Sequence, residues 1–145
     1  MYKCTFTLFN YHAATGMWHT SVFEDADLIS LRAGNATQHG NTSGDSVEII
    51  IHTKADKSAV TINGVVKQYA GPKAYAKLAD PSSAFTFTPQ IDFIMAGNHA
   101  LTDPVSEEDY ESGLYHSMND EYDEVYMVTA ATHYALLPHF EIGGK

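Results

Sequence analysis

The chain has 145 residues, of which 44% are hydrophobic and 12% aromatic. This length and content are typical of one ordered domain and exclude a disordered chain, which would carry far fewer aromatic residues. The formal net charge of −10 makes the protein acidic, and its single cysteine, Cys4, excludes an intramolecular disulfide.

No segment of the sequence predicts a membrane span or a secretion signal. No apolar run approaches the ~20 residues that cross a bilayer, and the N-terminus lacks the roughly 7–15-residue apolar stretch of a signal peptide. Cys4 lies in phase with Phe6 and Leu8 on an alternating apolar face, which is typical of a buried, unreactive thiol. We therefore expect a protein made in a reducing cytoplasm, or in a particle assembled there.

The charge is distributed unevenly along the chain. Residues 1–77 carry seven Lys or Arg against six acids, whereas residues 78–144 carry twelve acids and no Lys or Arg. A surface that grips phosphates needs cations, so direct nucleic-acid binding by the second half is disfavoured. The alternative interpretation of this half is a solvated acidic face that aids solubility.

The N-terminal third predicts a hairpin followed by a loop. Residues Lys3–Tyr11 alternate apolar and polar and suit a strand, Ala13–Gly16 predict a turn, and Met17–Phe23 return as the second arm. Residues 32–45 are polar, rich in Gly and Asn, and without periodicity. They predict a long exposed loop, and loops of this length are usually functional or mobile.

The middle of the chain predicts two strands and a short helix. Ser46–Thr53 is dense in β-branched residues and is the strongest strand signal. Ala59–Gly64 predicts a partner strand ending in an Asn-Gly turn. A helix over 72–79 starts at Pro72, which suits the first helical position, and ends at Asp80, because a residue before proline avoids helical geometry.

The C-terminal half predicts four more strands and a second helix. Ala84–Thr88 and Ile91–Met95 alternate. A helix over 106–118 follows a Ser-x-x-Asp start with acids crowding the first turn. Glu124–Ala130 and Tyr134–Ile142 predict a final hairpin. The whole chain, residues 1–145, is predicted to be a single mainly β (β+α) domain, a small β-barrel or sandwich of six to eight strands with two short helices.

Spacings that carry catalytic or metal chemistry are missing from the sequence. The eight histidines include no His-x-x-x-His pair, and His116 with Asp120 is the one local pair at helical spacing. The cluster of acids over residues 107–111 is explained more simply by the helix dipole than by a pair of catalytic carboxylates. The acidic residues over 120–124 lack the ligand spacing of a calcium-binding EF-hand loop. We predict no enzymatic activity, no metal site and no cofactor, with a small hydrolase as a third, less favoured interpretation.

One candidate interface is a segment in which tyrosines and acids interleave. Nine acids lie between Asp103 and Glu124. Tyrosine on a charged surface is typical of interface hot spots. The alternative is that the rings pack inward. The candidate residues are Tyr110, Tyr115, Tyr122 and Tyr126.

The second candidate interface is the C-terminal strand, which alternates apolar and polar residues almost to the end of the chain. Its candidate residues are His139, Phe140 and Ile142. A terminal strand of this kind is either docked in its own sheet or offered to a neighbouring molecule.

Several segments of the chain resemble a known group of phage proteins. The ending Leu137–Lys145, preceded by Asp123–Thr129, resembles small proteins of the head-to-tail region in phages and prophages of Gram-positive bacteria. These proteins, described as minor capsid, head-completion or stopper proteins, tend to close with a strand carrying His-aromatic-Glu/Arg-aliphatic. The segments Gln68–Tyr75 and Phe85–Ile94 are also similar.

The resemblance, which covers residues 46–145, implies a β-barrel subunit that assembles as a ring in the virion neck. Its partners would be itself, the portal or adaptor above and tail components below, after assembly in the bacterial cytoplasm. DNA would pass through without being bound specifically, because an acidic lumen repels phosphate. The chain departs from the group at one turn, where it has Ile91-Asp92 in place of Gly-Asp.

The alternative function is a small acidic phage-encoded binding protein or inhibitor that acts as a monomer or dimer. Acidic proteins of this size can mimic nucleic acid and block the basic groove of an enzyme. The mass in solution separates the two hypotheses, since a ring is a multiple of the 15.9 kDa chain.

Overall fold

The fold is described from a computed structural model. It covers residues 2–32, 46–53, 58–60, 66–99, 104–134 and 137–145. The predicted loop at 32–45, apart from Arg32, and the predicted Asn-Gly turn at 63–64 lie outside these residues. Asp103 of the acidic segment lies outside them as well.

Most of the described chain is β-strand. The six strands that build the barrel are β1 (Tyr2–His12), β2 (Met17–Arg32), β3 (Ser46–His52), β7 (Phe93–Ala96), β9 (Val125–Tyr134) and β10 (His139–Gly144). Four shorter strands flank them, namely β4 (Ser58–Val60), β5 (Val66–Tyr69), β6 (Ala84–Phe85) and β8 (Val105–Ser106). The helices are α1 (Pro72–Ala76) and α2 (Leu114–Glu121), and single 3-10 turns cover Pro81–Ser83 and Glu107–Asp109.

The six long strands close into an antiparallel barrel. Their order is β1-β7-β9-β10-β3-β2, and β2 pairs back with β1. Closure leaves no free edge among these strands. β8 adds to the start of β2, and β4, β5 and β6 form a separate three-stranded sheet. The predicted mainly β fold is thus confirmed, and of the two architectures considered the chain adopts the barrel.

Alternation along each strand fills the barrel interior. In β3 the side chains of Val47, Ile49 and Ile51 are buried, and Glu48 and His52 between and after them are exposed. Successive strand residues point to opposite faces, so these three side chains of β3 face the barrel axis together. The strand prediction for Ser46–Thr53 is confirmed, and the predicted N-terminal hairpin forms with a second arm that continues to Arg32.

One end of the barrel is closed by aromatic side chains from β5, from β6 and from the segment that follows β6. Tyr69, Phe85 and Phe87 form this aromatic plug. Tyr69 packs against Phe140 of β10 with ring centroids 4.7 Å apart, and Phe85 packs against Phe23 of β2 at 5.6 Å. Phe85 is fully buried. The short strands β5 and β6 therefore position a lid whose underside belongs to the barrel core.

A second apolar cluster lies on the outside of the barrel, beneath α2. Phe9, Phe93 and Met95 face outward from β1 and β7, and Leu114 and Met118 of α2 cover them. The rings of Phe9 and Phe93 stack with centroids 4.4 Å apart. This cluster fixes α2 and its flanks against the outer face of the barrel.

The second helix does not begin where the sequence predicts it. We expected a helix over 106–118, but the acidic turn over 107–109 is a separate 3-10 turn and α2 starts at Leu114. Gly113 has a φ of +90°, outside helical geometry, and this interrupts the chain between the two. The first helix, predicted over 72–79, ends at Ala76.

Candidate functional site

The structure buries three of the four candidate tyrosines of the tyrosine–acid segment, at least in part. Tyr110 and Tyr115 are half-buried against the outer apolar cluster, and the Tyr115 ring lies 5.1 Å from that of Phe93. Partial burial raises the pKa of the Tyr115 hydroxyl. Tyr126 is buried in the barrel core. Of the four candidates only Tyr122 is exposed, at 39%.

The C-terminal strand is docked in its own sheet. β10 pairs with β9 on one side and β3 on the other, so its backbone has no free edge to offer a neighbour. Phe140 and Ile142 are core residues, 2% and 1% exposed. The alternation of this strand was predicted, but these two side chains form its inward face, and we correct their interpretation as interface residues. His139 is partly exposed and stacks on Tyr134.

The described acids of the tyrosine–acid segment are of two kinds: Glu107 is partly buried and makes structural hydrogen bonds, and the others are exposed to solvent. Glu107 is partly buried, and its Oε1 accepts hydrogen bonds from Trp18 Nε1 at 3.0 Å and from Leu114 N at 2.7 Å. It therefore satisfies a free N–H at the start of α2 and ties that helix to β2. The exposed acids are Glu108, Asp109, Glu111, Asp120, Glu121, Asp123 and Glu124.

Substituting Glu107 by alanine is expected to lower the free energy of unfolding by about 1–3 kcal/mol, because two hydrogen bonds to a carboxylate are lost. The fluorescence of Trp18, the only tryptophan of the chain, should change as well, since its Nε1–H loses its acceptor. Urea denaturation followed by fluorescence measures both effects. The matched control is Glu108→Ala at an exposed neighbouring acid, for which a change within about 0.5 kcal/mol is expected; equal losses in the two variants would contradict the assigned role.

The end of the barrel opposite the plug holds an open apolar cavity of about 220 Å³. We call it the barrel-mouth cavity. It is lined by residues from the ends of five strands and by Glu124, which precedes β9: Cys4, Thr5, Phe6, Leu28, Val47, Ile49, Ile94, Met95, Ala96, Glu124 and Tyr126. Mouths of β-barrels are preferred places for binding sites. Burial raises the pKa of the Cys4 thiol, and the charge of Asp27 adds to this shift.

Irregular strand pairing at the barrel mouth explains why core side chains leave the barrel-mouth cavity open. The pairing of β1 with β2 shifts between Cys4 and Phe6, and that of β2 with β3 shifts between Leu28 and Ser30. Such bulges are common at barrel rims, where they turn side chains out of register. Small residues at the strand ends, Cys4 and Ala96, leave the remaining space.

A more polar cavity of about 360 Å³ adjoins the barrel mouth and is lined by Ala96, His99, Tyr122, Asp123 and Glu124. Ala96 and Glu124 are shared with the apolar cavity. The His99 ring packs on Tyr122 with centroids 4.8 Å apart. Among the described residues no hydrogen bond joins this ring to either carboxylate. The acids give the mouth a negative rim.

A buried polar network lies at the plugged end, and the sequence does not single it out. Asp92 is fully buried; its Oδ1 accepts from Tyr11 N at 3.0 Å, and its Oδ2 accepts from Asn10 Nδ2 and Thr88 N, both at 2.9 Å. Burial raises the pKa of Asp92 to about 6, against the opposing effect of these hydrogen bonds. Closed off from solvent, the carboxylate holds the 88–92 turn against β1. Its signal in the sequence is an acid inside the apolar run Ile91–Met95.

The described residues contain no group of three or more potential metal ligands. His116 and Asp120, the one local pair predicted, lie 3.5 Å apart on the exposed side of α2. Within the same part of the chain, no helix has the length and apolar character needed to cross a membrane.

Comparison with protein families places the whole chain in one of them. The chain belongs to DUF6751, a family of unknown function, whose model matches residues 1–145. No curated protein and no solved structure matches the chain.

Proposed function

We propose that this chain is a non-enzymatic structural protein of a phage particle. It would act as a head-to-tail connector or head-completion (stopper) subunit that assembles as a ring between portal and tail. The observation that carries the proposal is the closed antiparallel barrel, which is the subunit architecture that the resemblance to neck proteins implies. A ring subunit needs two different contact surfaces, one for each neighbour. A barrel with a plugged end and an open apolar end offers two such surfaces.

The barrel interior cannot itself be the channel for DNA. Leu8, Ile49, Val128 and Ile142 fill it and are almost completely buried. A passage would therefore lie between subunits, around the axis of the ring. The exposed acids at and around α2 are suited to line it, because carboxylates repel phosphate and no Lys or Arg occurs over residues 78–144.

The proposal is tested by co-expressing the tagged chain with the products of the genes that flank its own. Mass photometry of the purified material is expected to show a complex containing many copies of the 15.9 kDa chain, and negative-stain images are expected to show rings. Co-expression matters because a neck protein can require its portal for assembly. A chain that remains a monomer or dimer with every neighbouring product would overturn the proposal.

The second candidate is an acidic binding protein or inhibitor, acting as a monomer or dimer. It is favoured by one observation, the row of exposed carboxylates along and beside α2, such as Asp109, Asp120 and Glu121. Capture of a basic cellular protein by the monomeric chain, weakened by salt and by the variant Asp120→Asn/Glu121→Gln, would support this function instead.

A further inference from the structure

The turn between β9 and β10 carries the most exposed large apolar side chain of the described residues. Leu137 is 74% exposed, and Tyr134, the last residue of β9, is 46% exposed. We call these two side chains the turn knob. Two hydrogen bonds hold the described residues that lead into β10: Thr53 N donates to Pro138 O at 3.2 Å, and His139 Nδ1–H donates to Leu137 O. The knob is therefore held in place while its apolar surface faces water.

The barrel-mouth cavity has the size and chemistry of a receptor for such a knob. Its volume of about 220 Å³ is below the roughly 300–1,000 Å³ of small-molecule sites, so a protruding side chain suits it better than a bound metabolite. Its wall is apolar apart from Glu124 and Thr5. A branched aliphatic side chain entering it would remove from water its own surface and that of the half-buried lining residues Cys4, Leu28 and Ala96.

The knob and the barrel-mouth cavity lie at opposite ends of the paired strands β3 and β10. β3 starts beside the mouth, where Val47 lines the cavity, and ends at His52, which pairs with His139 next to the knob. One molecule cannot bring its own knob to its own mouth. A contact between them joins two copies head to tail, and a head-to-tail contact closes into a ring when its rotation permits.

The polar groups beside the knob are engaged within their own molecule. His139 Nδ1–H donates to Leu137 O, and its Nε2 lies 3.4 Å from Glu141 Oε2. His133 Nε2 lies 3.3 Å from Thr53 Oγ1. The contact therefore rests on the fit of an apolar side chain into an apolar cavity and not on paired charges.

We propose that Leu137 of one copy inserts into the barrel-mouth cavity of the next copy, so that this contact builds the ring. The inference deepens the proposed ring subunit and rests on it. It assigns the occupant of the cavity to a second copy of this chain, and it makes Cys4 of one subunit a neighbour of Leu137 of the adjacent subunit.

The single native cysteine permits a direct test. Leu137→Cys places a second thiol on the knob, and Cys4 already lines the cavity. Oxidation of the co-expressed assembly with copper–phenanthroline is expected to give a ladder of dimers, trimers and higher species on non-reducing gels. Mass spectrometry should identify a disulfide between positions 4 and 137. The same variant carrying Cys4→Ser should give no such ladder, and neither should Ile91→Cys, which alters an exposed apolar residue elsewhere on the surface.

Two further variants address the contact without cross-linking. Leu137→Asp puts a charge on the knob, and Ala96→Leu fills the cavity from β7. Each is expected to weaken self-association at least about 10-fold, the loss that follows from one buried leucine contact. Ala130→Leu, at an exposed position of β9, is the matched control and should leave assembly unchanged. Circular dichroism spectra verify that each variant is folded.

The outcomes separate this contact from the ring itself. If the wild type forms rings, the Leu137→Asp variant still forms them, and no disulfide joins positions 4 and 137 in Leu137→Cys, the knob contact is overturned. The proposed ring then stands. A wild-type chain that never forms rings would overturn both. Loss of rings in Leu137→Asp and Ala96→Leu, together with the predicted disulfide, supports both.

Discussion

Substituting Phe85 by alanine is expected to lower the free energy of unfolding by about 3–5 kcal/mol, the range for truncating a fully buried phenylalanine. Phe85 is 0% exposed and lies at the centre of the aromatic plug. Its ring contacts those of Phe23, Tyr69 and Phe140 at centroid distances of 5.6, 5.7 and 6.1 Å. The variant would leave a hole where the lid meets the barrel core, and urea denaturation followed by circular dichroism measures the loss.

Two controls define what the loss means. Phe85→Leu keeps most of the apolar volume and is expected to cost less than half as much as alanine. Ile91→Ala removes a large apolar side chain that is 46% exposed and should change stability by no more than about 0.5 kcal/mol. If Phe85→Ala cost as little as Ile91→Ala, the plug would not be part of the barrel core.

The barrel strands were predictable because their signal is local. Val47, Ile49 and Ile51 alternate with polar or half-exposed residues within seven positions, and period-2 alternation of β-branched residues is the pattern of a half-buried strand. The second helix was misplaced for an equally local reason. Capping signals favoured a start near Ser106, but Gly113 adopts a backbone conformation that a helix cannot contain.

The candidate site was less predictable because alternation does not say which face is inside. Phe140 and Ile142 share a face, and only the pairing of β10 with β3 and β9 shows that this face is the core. The barrel-mouth cavity joins residues as far apart as Cys4 and Tyr126. Its existence depends on strand pairings and bulges between distant segments, which no local pattern encodes.

Asp92 is the position at which the second large effect is expected. Asp92→Ala would remove the acceptor of two partly buried donors, Tyr11 N and Thr88 N, and would leave Asn10 Nδ2 with Thr86 O alone. A buried donor without a partner costs about 1–3 kcal/mol. The variant is therefore expected to lose about 3–5 kcal/mol of unfolding free energy at pH 5. Asp120→Asn, at an exposed carboxylate on α2, should change it by less than about 0.5 kcal/mol.

The same carboxyl group should make stability depend on pH in a defined direction. Burial raises the pKa of Asp92 from 3.8 to about 6 in the folded state. Between these values the folded chain holds a proton that the unfolded chain has released, so this group's contribution to stability is complete below about pH 3.8 and is lost as the pH rises through about 6. A shift of this size corresponds to at most about 3 kcal/mol.

Asp92→Asn isolates this contribution, because asparagine keeps the shape of the side chain and does not titrate. The difference in unfolding free energy between wild type and Asp92→Asn is expected to fall by up to about 3 kcal/mol between pH 4 and pH 7. Urea denaturation at half-unit pH intervals measures this difference, with Asp120→Asn as the reference for effects of other groups.

A difference that grows with pH would mean that the hydrogen bonds from Tyr11, Asn10 and Thr88 outweigh burial and hold the pKa of Asp92 below its unfolded value. The carboxylate would then stabilise the 88–92 turn most strongly in its charged form, and the buried network would act as an anion site built from two backbone N–H groups and the Asn10 side-chain amide.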